Sequence, residues 1–183
     1  MGRKTAGAGP QNEDLRKNYY WEKIRHYGKR YPTFHWPSVE LLLSLIHAYD
    51  VLYTHFEKRF AELGLSPSGF NILMILSRSD GKAYKQNELS KLLFVSRANM
   101  TGLMDSLIRQ GLVTRETDPS DRRVCLSKIT PRGEALIERM LPSHYQEMAR
   151  VVSGIGSDDK RTMIAGFSKM LTSVVPKTKK IRP

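Results

Sequence analysis

Arg97, Asn99 and Thr101, with Ser96 before them and Gly102 after, bring a guanidinium, a carboxamide and a methyl-bearing hydroxyl into about two helical turns. These groups match base edges in a DNA major groove. Arg pairs bidentately with guanine, Asn with adenine, and a Thr methyl can touch a thymine methyl. Further along, Asp121-Arg122-Arg123 sits in a polar, Pro-containing loop. Two Arg at a loop apex have the length and charge to enter a minor groove, where the potential is most negative. Asp121 reads as a strut, since a carboxylate can orient a neighbouring guanidinium through a bidentate pair.

The segments around these residues are of the kind that would position them. Gln86 to Leu93 reads as a short helix. A second helix runs from a Ser96 cap to about Arg109, with Met100, Leu103, Met104 and Leu107 as its inward stripe and Gly111 at its end. Val113–Glu116 and Val124–Ile129 read as paired strands whose connecting loop carries Asp121, Arg122 and Arg123. Thr130-Pro131 then open a helix towards Val152, with a bend expected at Pro142. Gly154 and Gly156 interrupt it, and Ser157 caps a last helix.

On the N-terminal side, residues 1–11 look like a disordered lead-in, and Asn12 is placed to cap a helix ending at Gly28. Pro37-Ser38 opens a long helix to about Glu62, stopped by Gly64. Its apolar residues cover more than one face, which argues for burial on several sides and for a dimer interface. Ser66 and Pro67 start the next helix, Phe70 to Leu76.

Composition narrows the classes of function. The chain has 183 residues, a net charge of +12 and 40% hydrophobic residues, enough for a real core. Residues 1–37 carry a net +5, residues 81–133 another +5, and the tail from Lys177 to Arg182 +4, around a scaffold that is not basic. Basic termini and a basic central module suit a polyanion partner. No apolar run approaches the roughly 18–20 residues of a membrane span. The N-terminus lacks the apolar core of a secretory signal. The single Cys125 excludes an internal disulfide framework and fits a reducing cytoplasm. The five His lack metal-ligand spacing, and there is no nucleophile elbow or Gly-rich phosphate loop. The expectation is a cytoplasmic non-enzyme without metal or cofactor.

Residues from about 66 to 135 resemble the multiple-antibiotic-resistance regulator (MarR) family of winged-helix transcription factors. The carrying residues are Asn87-Glu88-Leu89-Ser90, Ser96 to Asp105, Gly111-Leu112-Val113, Asp121-Arg122-Arg123 through Leu126, and Ile129-Thr130-Pro131-Arg132-Gly133. The flanking helices extend the resemblance to at least 38–175. Lys85 stands where Thr or Ser is usual at the cap of the first helix of the pair.

The resemblance implies a mainly α fold with a small β-wing. Residues 66–133 would form a winged helix-turn-helix lobe, on a helical dimerisation region from 38–65 and 134–176. Residues 1–37 would be a basic, aromatic extension and 177–183 a basic tail. It also implies a homodimer on a palindromic operator, most often a repressor, released by an aromatic acid, a phenolic or an aromatic acyl-CoA. The aromatic N-terminal extension resembles that of urate-responsive members, with Trp21 in the place of their pocket Trp. Asn71 and Leu103 stand where those members have an acidic residue and an Arg. Trp21, Arg25, His47, Tyr49, Tyr53 and Asn71 are therefore candidate effector residues, and aromatic packing in a dimer core is the competing role. An architectural DNA binder without sequence preference and a winged-helix protein-interaction module are the other functional classes in view.

Overall fold

The computed structural model describes residues 16–93, 95–117 and 125–174. The helix cap assigned to Asn12, the wing residues Asp121, Arg122 and Arg123, and the basic tail after 176 lie outside the described residues. The chain divides at Pro67/Ser68 into two compact units.

In the first unit a π-helical stretch, Arg16–Trp21, leads into helix α1, Glu22–Gly28. Helix α2 follows, Trp36–Ala61, with Pro37 in its first turn, where a missing N–H costs nothing. It ends in a paired-bond cap. Gly64 N–H donates to Ala61 O at 3.0 Å and Leu65 N–H to Phe60 O at 3.0 Å. Gly64 takes φ +69°, the left-handed conformation this cap requires. Along α2 only Phe60 is buried, while Leu41, Leu42, Ile46, Tyr49, Val51, Leu52 and Tyr53 are exposed. The several-sided burial expected of α2 is not seen among the described residues of the first unit.

The second unit contains helix α3, Pro67–Ser77, strand β1, Tyr84–Lys85, helices α4, Gln86–Leu93, and α5, Arg97–Arg109, strands β2, Val113–Thr117, and β3, Cys125–Ile129, then α6, Pro131–Val151, and α7, Ser157–Val174. Its core is built from Phe70, Ile72, Leu73 and Leu76 of α3, Leu89 of α4, Met100, Met104 and Leu107 of α5, Leu112 and Val113, and Ile137, Met140 and Leu141 of α6. Burying side chains of this size stabilises by about 1.5–3 kcal/mol each.

The sheet is antiparallel in the order β1-β3-β2. Val113 faces Ile129 and Thr117 faces Cys125 at the two ends of the β2–β3 hairpin. The sequence reading had two strands. The third is the two-residue β1, which pairs Tyr84 with Ser127 and Lys85 with Leu126. Two residues are too short for the period-2 alternation by which a strand is read. Helix α6 continues through Pro142 to Val151, and the first carbonyl of α7 belongs to Gly156, which accepts from Lys160 N–H at 3.0 Å.

One corner fixes the join between α5, the hairpin and α6. Gly111, at φ +69°, ends α5, with Gly111 N–H on Ile108 O and Leu112 N–H on Leu107 O. The Thr130 hydroxyl donates to Gly111 O at 2.8 Å and accepts from Gly133 N–H at 3.0 Å. Thr130 N–H donates to Leu112 O at 3.0 Å. A Cβ on Gly133 would stand 2.3 Å from Leu112 O, a contact no side chain tolerates. Gly133→Ala is therefore expected to destabilise the protein by about 1–3 kcal/mol, the usual cost of overpacking, measured by urea denaturation. An unchanged midpoint would show that the corner has slack.

Candidate nucleic-acid interface

Helix α5 has two unlike sides. Met100 and Met104 are wholly buried and Leu107 nearly so, whereas Arg97, Ala98, Asn99, Thr101 and Gly102 are exposed. The 3.6-residue period of the apolar positions produces this division. Ser96 caps the helix as expected, its Oγ accepting from Asn99 N–H at 3.2 Å. The first turn of α5 is thereby held.

Helix α4 is held by a half of a capping box. The Glu88 carboxylate accepts from Lys85 N–H at 2.9 Å, the return bond that Glu at this position makes whatever residue is at the cap. Lys85 in place of Ser or Thr removes the forward bond and leaves this one.

Between α4 and α5, Gln86 Nε2 donates to Thr101 Oγ1 at 3.2 Å, and Thr101 Oγ1 donates to Arg97 O at 3.1 Å. Gln86, Asn87, Ser90, Arg97 and Thr101 line a cavity of about 340 Å3 at this junction. Sequence reading missed Gln86. Its place as the first residue of a polar helix gave no periodic signal, and its partner lies fifteen residues away.

The hairpin is braced to α5 by Arg115 of β2, which pairs with Asp105 at 3.2 Å. Lys128 pairs with Glu116 across the strands at 3.3 Å. Both pairs are solvent-exposed and stabilise by at most about 1 kcal/mol. Their effect is to hold charged groups in place along the base of the wing.

Gly102 stands in the middle of α5, where Gly costs about 1 kcal/mol relative to Ala. Among the described residues a Cβ there would meet nothing within 4 Å. The fold gives no steric reason for glycine at this position, in contrast to Gly133.

The candidate effector residues are distributed as follows. In the first unit Trp21 is buried and its ring meets His47 edge-on at 6.4 Å. Tyr49 and Tyr53 lie 5.7 Å apart, both exposed, and the Arg25 guanidinium sits 5.5 Å from the Trp36 ring. Asn71 is exposed on α3 of the second unit. The first unit therefore couples Trp21 with His47 and Tyr49 with Tyr53, and directs Arg25 to Trp36.

Among the described residues no group of three or more His, Cys, Asp or Glu could hold a metal ion, and no helix is long and apolar enough to cross a membrane. Cys125 is exposed on β3. Hydrogen bonding from Glu147, then its charge, raises the Arg150 guanidinium above its ordinary value, within a pair on α6.

A helix pair, a three-stranded wing and an outward polar face on the second helix define a winged helix-turn-helix lobe. Residues 63–124 match the MarR family. Over 151 residues the chain is 33% identical to the HTH-type transcriptional repressor YetL of Bacillus subtilis (strain 168), covering 82% of this chain and 88% of that protein. The chain belongs to the MarR family of winged-helix transcriptional regulators. Its fold is similar to that of S. aureus MepR solved as a complex with DNA, with a TM-score of 0.64 at 21% identity over 78% of this chain and 99% of that one. It is also similar to Bordetella bronchiseptica BpsR, whose DNA binding is regulated by 6-hydroxynicotinic acid, with a TM-score of 0.63 at 24% identity over 72% and 98% of the two chains.

Because no described residue would meet a Cβ at Gly102, its replacement would separate folding from binding. Gly102→Ala is expected to raise stability by about 0.5–1 kcal/mol and to weaken DNA affinity by about tenfold, a methyl forced into a close interface costing roughly 1–3 kcal/mol. Thermal melts and fluorescence anisotropy read the two effects. Unchanged affinity would mean that DNA does not approach α5 at this point.

Proposed function

We propose that the protein is a sequence-specific repressor that binds a palindromic operator as a homodimer and is released by a small aromatic acid, phenolic or aromatic acyl-CoA. The observation that carries the DNA reading is the outward face of α5, where Arg97, Asn99, Thr101 and Gly102 are exposed above a buried Met100–Met104–Leu107 side. Two such helices enter successive major grooves about one turn apart. In this reading Asp121, Arg122 and Arg123 belong to the wing tips and grip the flanking minor grooves. The repressor named YetL and the DNA complex of MepR support this part.

The homodimer is supported by α2, which leaves Leu41, Leu42, Ile46, Tyr49, Val51, Leu52 and Tyr53 exposed, and by Met163, Ile164, Leu171 and Val174 of α7. Apolar surfaces of this extent mark interaction sites in soluble proteins. Trp21, Arg25, His47, Tyr49, Tyr53 and Asn71 are the proposed effector residues. The aromatic character of the first unit and the 6-hydroxynicotinic acid regulation of BpsR support an aromatic acid.

The test compares affinity for the duplex upstream of the protein's own gene with a scrambled duplex at one fixed salt. A preference of about a thousandfold is expected, the usual margin of specific over non-specific binders. Equal affinity for both would favour sequence-independent binding through the basic segments. On the preferred duplex, Asn99→Ala should cost roughly 1–3 kcal/mol and relax one base position. An equal loss on all sequences would remove Asn99 from base reading. The preferred complex also serves to screen aromatic acids, phenolics and acyl-CoA thioesters for release. For a releasing compound, unchanged potency in Trp21→Ala would remove Trp21 from the effector site.

A further inference from the structure

We infer that Thr101 reads DNA through its methyl group, against the C5-methyl of a thymine, and that Gln86 is the positioning residue that makes it do so. This rests on the sequence-specific reading above and names the chemistry of one contact within it. A threonine on a helix surface can present either group. Its hydroxyl can give or take hydrogen bonds from any base edge, and its methyl suits only an apolar neighbour. In a helix Thr also divides between two χ1 rotamers, because Oγ1 can reach a carbonyl in the preceding turn.

Here both choices are already made within the protein. The one hydroxyl hydrogen of Thr101 is spent on Arg97 O at 3.1 Å. One lone pair receives Gln86 Nε2–H at 3.2 Å, from the neighbouring helix. A hydroxyl so occupied has no hydrogen left for guanine O6 or N7, adenine N7 or thymine O4. The back-bond alone would not settle the matter, since it lies within one helix and exchanges with water. The bond from Gln86 ties the rotamer of Thr101 to the packing of α4 on α5. The second lone pair of Thr101 Oγ1 could accept only from an N–H such as that of adenine N6 or cytosine N4. Toward the donor-free major-groove edge of a thymine, the group that exposed Thr101 has left to offer is the methyl. Gln86 keeps its carbonyl oxygen and its second N–H outside this bond.

The experiment uses the full chain and duplexes that it selects from a random pool. Each thymine of the selected site is replaced in turn by deoxyuridine, which removes only the C5-methyl. The wild-type protein is expected to lose about fourfold in affinity at one thymine of each half-site, the equivalent of about 0.8 kcal/mol for one buried methyl. Thr101→Ser keeps the hydroxyl and lacks the methyl, so it should bind the thymine duplex about fourfold more weakly and be indifferent to uracil there. Thr101→Val keeps a methyl and should retain the uracil effect. Gln86→Met keeps the length and removes the N–H. With an unchanged melting temperature it should cut the uracil effect by half or more, which a merely structural role would not do.

Full uracil sensitivity in Thr101→Ser, or its loss in Thr101→Val, would overturn the methyl assignment. An unchanged uracil effect in Gln86→Met would overturn the role of Gln86. Failure of the wild-type protein to enrich any sequence would instead overturn the specific-reader function, and the contact with it.

Discussion

The structure of the DNA-binding lobe depends on a single corner where backbone meets backbone with no room for a side chain. Gly133 lies against Leu112 O so closely that a Cβ would overlap it, and the Thr130 hydroxyl bridges that contact to Gly111 O. Gly111 closes α5, Leu112 begins the turn into β2, Thr130 follows β3 and caps α6. One threonine and two glycines thus hold the ends of four elements together. The Thr-Pro-Arg-Gly run is for this reason an architectural signature. It sets the direction in which α5 faces.

From that corner the polar face of α5 follows without further devices. Met100, Met104 and Leu107 anchor the helix to the core, and the residues between them have nowhere to go but outward. The cap at Ser96, the Gln86–Thr101 bond and the Arg115–Asp105 pair then restrain the exposed side at its start, middle and far end. None of these bonds adds much stability, being surface interactions of a kind worth about 1 kcal/mol or less. What they provide is an exposed face whose side chains are ordered in advance, which would lower the entropy lost on binding a partner.

Much of this was legible in the sequence, for physical reasons that differ between elements. The stripe at Met100, Leu103, Met104 and Leu107 predicted both the helix and its outward residues, because periodicity is a direct image of burial. Gly64 and Gly111 marked helix ends because their left-handed φ admits few other residues. Strand β1 escaped, since two residues hold no pattern. The Gln86–Thr101 bond escaped too, because a hydrogen bond between helices depends on their packing distance and leaves no local trace. Gly133 was visible as part of a motif, but its reason, an overlap with Leu112 O, belongs to tertiary structure alone. The grouping of Trp21 with His47 and of Arg25 with Trp36 was likewise beyond spacing rules, which place residues on a face without choosing their neighbours.

The same corner constrains how a small molecule could act on this protein. A ligand shifts an equilibrium only by its difference in affinity between two states. Within the lobe, α5 is tied to β2, β3 and α6 through backbone groups in close contact, an arrangement with no second packing of similar energy in view. Reshaping the outward face of α5 would mean breaking several hydrogen bonds of that corner at once and moving backbone that is in close contact. In the proposed homodimer the softer coordinate would be the spacing between the two copies, which would associate through the exposed apolar length of α2. An effector bound among the aromatic residues of the first unit would therefore gain its leverage by changing the spacing between two intact readers, and the readers themselves would stay as they are.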